Sequence, residues 1–168
     1  MRHRSLTLCV LCAAMPALAQ SPADERPGLI KLLDGRWVMT GDVMNQPVTY
    51  ALEAGPTLSA AFTELHMKDV QVPARYEARV LLGWDNDTQT VIVHWLDTFG
   101  GRYSIPHGTG RIEGHAIEFT IPYADGPFRD TLTYDPAQQT WSFVIEAGQK
   151  DGTFRHFAAY QIRRESQP

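Results

Sequence analysis

Asp34-Gly35-Arg36-Trp37-Val38-Met39-Thr40-Gly41 is the stretch on which the fold turns, because a helical pattern stops there and strand patterns begin. Just before it, Leu29, Ile30, Leu32 and Leu33 recur at helical spacing between Pro27, a good early-helix residue, and Gly35, a good helix stop. The glycine permits a sharp exit from the helix, and the Trp37 indole is large enough to plug the end of a sheet wrapped on itself. The stretch therefore predicts a starting corner of a barrel.

Upstream, the first nineteen residues read as a leader. Arg2 and Arg4 give a positive start, Leu6 to Ala14 form an apolar run, and Pro16-Ala17-Leu18-Ala19 ends in an Ala-x-Ala cleavage pattern. The run is too short for a bilayer span of ~20 residues. The expectation is a signal peptide over 1–19, a mature chain from Gln20, a disordered tail over 20–27 and one barrel domain over 28–164. The location that follows is periplasmic or secreted, with no lipid or membrane anchor. Both cysteines, Cys9 and Cys12, lie in the leader, so the mature chain offers no disulfide, thiol nucleophile or thiolate metal site. Losing Arg2 and Arg4 leaves 13 basic against 19 acidic side chains, a net charge of −6. A mildly acidic chain without a basic stripe is a poor nucleic-acid binder, since phosphate contacts supply most of that affinity.

Downstream from Arg36, strand-like runs alternate with turn signals such as Asp85-Asn86-Asp87, Gly100-Gly101, Glu113-Gly114, Asp125-Gly126, Asp135-Pro136 and Asp151-Gly152. Short links imply antiparallel neighbours, and so many short strands must close on themselves or sandwich to hide their edges. The fold class expected is all-β: an antiparallel up-and-down barrel of about ten strands, with the short N-terminal helix capping one end. The segment 101–105 is read as one of the shorter strands, and Tyr103 to Gly108 as a loop at the barrel mouth.

Alternation assigns faces. Tyr76, Ala78, Val80, Leu82 and Trp84 form one apolar set, and Ile117, Phe119, Ile121 and Tyr123 another, both expected inside. The same parity argument groups Leu58, Ala60, Phe62, Glu64 and His66; then Phe128, Asp130, Leu132 and Tyr134; then Phe154, His156, Ala158, Tyr160 and Ile162. If the apolar members mark the interior, Glu64, His66, Asp130 and His156 look into the barrel. His94, between Ile92 and Leu96, joins them, although its opposite face is as apolar. With Tyr76 these make the candidate ligand-binding set. Buried polar groups need partners, so they either satisfy one another or orient the polar end of a ligand. No histidine pair has helical zinc spacing, and no nucleophile elbow surrounds Ser104; neither a metal nor a cofactor is assigned.

Gly35-x-Trp37 after a short helix, a long antiparallel meander and a late strand ending in Arg163-Arg164 together resemble the calycin group, which holds the lipocalins, the fatty-acid-binding proteins and the nitrobindin-like barrels. The layout is most similar to a lipocalin-like family of exported bacterial domains of unknown function. The resemblance implies an internal cavity for a small, mostly apolar molecule. It also implies that Trp37 packs under a basic side chain of the last strand, with Arg163 the first candidate and Arg164 the second, so that Gly35, Trp37 and Arg163 close the barrel. The functional expectation is a non-enzymatic barrel holding a hydrophobic or amphipathic molecule. Two alternatives stay open: an enzyme using a His–carboxylate pair in the same cavity, and a nitrobindin-like haem protein with His156 as ligand.

Overall fold

A computed structural model describes residues 24–166, so the leader expected over 1–19 lies outside the described residues. Helix α1 (Gly28–Lys31) is followed by strands β1 (Gly35–Val43), β2 (Gln46–Thr57), β3 (Phe62–Asp69), β4 (Glu77–Asp85), β5 (Thr90–Asp97), β6 (Gly108–Glu113), β7 (Ala116–Ile121), β8 (Phe128–Asp135), β9 (Thr140–Gly148) and β10 (Phe154–Arg164). Each strand pairs antiparallel with the next, and β10 returns to β1, closing a ten-stranded barrel. Closure leaves no free edge. The expected strand at 101–105 is absent; Gly101–Tyr103 form a 3₁₀ turn in the long β5–β6 connection. Gly100, with φ of 85°, turns the chain there before a ladder can form.

One end is solid. Ile30 and Leu33 from α1 and the turn after it are fully buried, and Trp37, 2% exposed, lies beneath them. The indole Nε1–H donates to the Leu33 carbonyl at 2.6 Å, which ties the helix to the first strand. Above the ring sits Arg164, its guanidinium carbon 3.8 Å from the centroid, while its Nη1 donates to the Asp34 carbonyl at 2.7 Å. This corrects the assignment of Arg163, which pairs with Val38 and is exposed. Parity decides between them, because Arg164 stands opposite Trp37 in the register and Arg163 one step away points outward. Gly35 is required twice over: its φ is +132°, and a Cβ there would collide with the Arg164 guanidinium.

A second clasp lies beside the first. Arg26 is 6% exposed. Its guanidinium donates to both Asp24 oxygens at 3.0 and 2.8 Å, both Asp34 oxygens at 2.9 and 2.8 Å, and the buried Thr63 hydroxyl at 2.6 Å. The Asp24 carboxyl is drawn down to about 2, chiefly by this bond. The described part of the segment expected to be a disordered tail is thus anchored to the barrel end. An arginine that forks two carboxylates is well matched to this position, because its planar donors reach both at once.

Inward parity holds where the sequence alternates cleanly. Ala78, Val80 and Leu82 on β4, and Ile117, Phe119 and Ile121 on β7, are at most 2% exposed. It fails on β3 and at the start of β10. On β3 the inward residues are Thr63, Leu65 and Met67, so Glu64 and His66 face out. The reason is local: Leu58, Ser59 and Ala60 all have positive φ and form a turn, so the apolar members at 58 and 60 do not belong to the strand. Phe62 lies on the outer face, covering Gly83 of β4. On β10 the register shifts between His156 and Ala158. This bulge puts Ala158, Tyr160 and Ile162 inside while His156 stays outside, opposite Glu146 of β9.

Candidate functional site: an aromatic cavity open at the barrel mouth

Opposite the plugged end, the interior opens into a cavity of about 630 Å³. That volume lies within the range of small-molecule sites. Ten of the twenty-two lining residues are aromatic. Two arcs of rings line it. Tyr76, Tyr50, Tyr160 and Phe143 follow one another with centroids 5.7 to 5.9 Å apart. Tyr123, Phe128 and Phe157 meet edge to face at 5.5 and 4.9 Å. Phe157 reaches the cavity because the β10 bulge turns it inward.

Polar groups in the cavity are few. Tyr76 donates its hydroxyl to Asp97 at 3.3 Å and accepts from the Trp95 indole at 3.2 Å. Asp130, on β8 between Phe119 and Ile145, is 2% exposed, and its Oδ2 finds no hydrogen-bond partner among the described residues. Burial pushes the Asp130 carboxyl well above the usual carboxylate range. Among the described residues the one basic side chain on the cavity wall is Arg75, exposed at the mouth, so no buried base offsets that cost. Burial also raises the Tyr76 and Tyr160 hydroxyls, and pushes Tyr123 up to about 12 with help from the Asp130 and Asp97 charges.

Of the six sequence-selected ligand residues, Tyr76 and Asp130 both line this cavity. The other four are on the outer wall. Glu64 is ion-paired with Arg79 across the β3–β4 pair. His66 bonds Glu77 at 2.7 Å, and His156 bonds Asp42 at 2.6 Å. The Glu77 carboxyl is held down by His66 and then Lys68, and Asp42 by His156. His94 lies outside between Phe62 and His107, with ring centroids 6.2 and 6.0 Å away. On β5 the inward face is Val91, Val93, Trp95 and Asp97, the equally apolar alternative to the face that carries His94. Both His–carboxylate pairs are therefore outside the barrel, and no histidine lines the cavity among the described residues.

Sequence reasoning missed Asp97 and, at the plugged end, Arg26. Asp97 was within reach, since continuing the Val91-Val93-Trp95 alternation by one step arrives at it. Arg26 carried no signal, because nothing local marks which charge of a polar segment will fold back.

The loops around the mouth carry exposed apolar side chains: Met44 at the β1–β2 turn, Val72 between β3 and β4, and Phe99 and Ile105 between β5 and β6. Phe99 and Tyr103, in the β5–β6 connection, also line the cavity.

No family model matches the chain, and no curated protein matches it. Among solved structures, one similar to it is the crystal structure of Rv2717c from M. tuberculosis, at 14% identity with a TM-score of 0.54, covering 82% of this chain and 95% of that one. At that identity the likeness concerns the fold alone, a ten-stranded antiparallel closed barrel in this chain.

Proposed function

We propose that this protein is an exported, lipocalin-like binding barrel that holds a small hydrophobic or amphipathic molecule in its interior. The observation that carries the reading is the cavity: about 630 Å³, open at one end, plugged at the other, and walled by rings with few polar groups. Cores of this kind are close-packed when they serve only stability. Here Trp37 and Trp141 fill one half while the Asp130 half stays open. The acid–base pairs that would support a reaction lie on the outer wall, which favours binding over catalysis.

Titration with the neutral fluorescent probe N-phenyl-1-naphthylamine tests the reading. Saturable fluorescence enhancement is expected for the full mature chain, and loss of it for Ile145→Trp, which fills the cavity, with circular dichroism showing an intact barrel. No enhancement with the native chain, or equal enhancement with the filled variant, would refute interior binding. Export rests on the leader pattern of residues 1–19, and N-terminal sequencing of the protein from a secreting host should begin at Gln20. A chain retaining Met1 would contradict it.

A further inference from the structure

We infer that the cavity selects hydrophobic molecules bearing a protonated amine, with Asp130 as the counter-ion and the surrounding rings as the cage for the cation. The inference rests on the interior being a binding site, as proposed above.

Among the described residues Asp130 is the buried acid of the cavity wall. It is 2% exposed, flanked in register by Phe119 and Ile145, and its Oδ2 is without a partner among the described residues. A buried polar atom left unpaired costs stability, and such atoms in native proteins are few. A group retained at that cost on the wall of an open cavity is best explained by a partner that arrives with the ligand.

Charge selects the partner. The cavity wall carries three carboxylates, Asp97, Asp125 and Asp130, against Arg75 alone, and Arg75 and Asp125 are both exposed at the mouth. A ligand carboxylate entering head first would meet Asp130 with no cation to receive it. An alcohol or ketone would gain a single hydrogen bond from the protonated acid. An amine entering as the free base takes that proton, becomes the ammonium and gains the ion pair and more: ring faces attract cations, and Phe143 stands on β9, the strand paired with that of Asp130, with Tyr160 on β10 one strand further. Desolvation strengthens both contacts relative to water. The raised affinity of Asp130 for a proton fits the same picture, since it reports a carboxyl that lacks a positive neighbour.

The experiment displaces bound N-phenyl-1-naphthylamine from the full mature chain at neutral pH with three unbranched ten-carbon molecules: decylamine, 1-decanol and decanoate. Decylamine is expected to displace at about tenfold lower concentration than decanol, the margin of one desolvated ion–aromatic contact, with decanoate weakest. In Asp130→Asn the preference for the amine over the alcohol, read as the ratio of their displacing concentrations, should vanish. Equal displacement by amine and alcohol, stronger displacement by decanoate, or a preference that survives Asp130→Asn would overturn the inference while leaving interior binding in place. Failure of the probe to bind the native chain would overturn the binding reading, and this one with it.

Discussion

Replacing Arg164 tests the barrel clasp more sharply than any other change, because Arg163 beside it serves as an internal control. Arg164 holds its guanidinium 3.8 Å over Trp37 and donates to the Asp34 carbonyl at 2.7 Å. The cation–π contact at this exposed position is worth roughly 0.5–1 kcal/mol. The charged hydrogen bond adds about 1 kcal/mol net, discounted for its solvent access. Arg164→Ala should therefore lower stability by about 1–2 kcal/mol, and Arg163→Ala, an exposed change with no such contacts, by less than about 0.5 kcal/mol. Trp37→Ala sets the scale. An indole covers about 200 Å², so its burial stabilises by roughly 5 kcal/mol before the cavity relaxes, and the expected loss is about 3–5 kcal/mol. Urea unfolding followed by far-UV circular dichroism reads all three. Arg163→Ala costing as much as Arg164→Ala would refute the clasp as drawn. So would a Trp37→Ala loss below about 1 kcal/mol, the range of a surface substitution.

Other expectations follow from the same geometry. Arg26→Ala should cost about 2–3 kcal/mol in urea unfolding, less than a fully buried pair because Asp24 and Asp34 are partly exposed, yet well above a surface pair. Asp130→Asn should stabilise the protein at pH 7, since the folded carboxyl titrates well above its unfolded value of 3.8. As pH rises through that unfolded value the unfolded chain releases a proton the folded one keeps, so the native aspartate lowers stability above about pH 4 and the gain from asparagine should disappear at about pH 3. Thermal melts at the two pH values read this, and an equal gain at both would contradict it. His66→Ala and His156→Ala should leave N-phenyl-1-naphthylamine affinity unchanged, because both imidazoles sit on the outer wall.

Much of the fold was readable from residue order. The Gly35–Trp37 corner, the closed antiparallel barrel and the inward sets of β4 and β7 all follow from turn signals and clean alternation. The site was legible only in part, and three of the four residues placed on the wrong face share one cause, while His94 was lost because both faces of β5 are equally apolar. Parity propagates along a strand only while every residue advances the pleat by one step. The left-handed turn at Leu58–Ala60 and the bulge before Ala158 each break that count, so Glu64, His66 and His156 ended on the opposite face. Asp130 was placed correctly because Phe128, Leu132 and Tyr134 share an unbroken strand with it. Arg163 and Arg164 are adjacent, and only the closing register with β1 separates them.

The central claim is that the open half of the barrel holds a small molecule, and native mass spectrometry of the mature protein from its own source tests it most directly. The account predicts a retained non-covalent mass that is absent from Ile145→Trp prepared in the same way. It further predicts that the released molecule carries an amine. A native chain that flies with no added mass and also fails to bind N-phenyl-1-naphthylamine would contradict the claim.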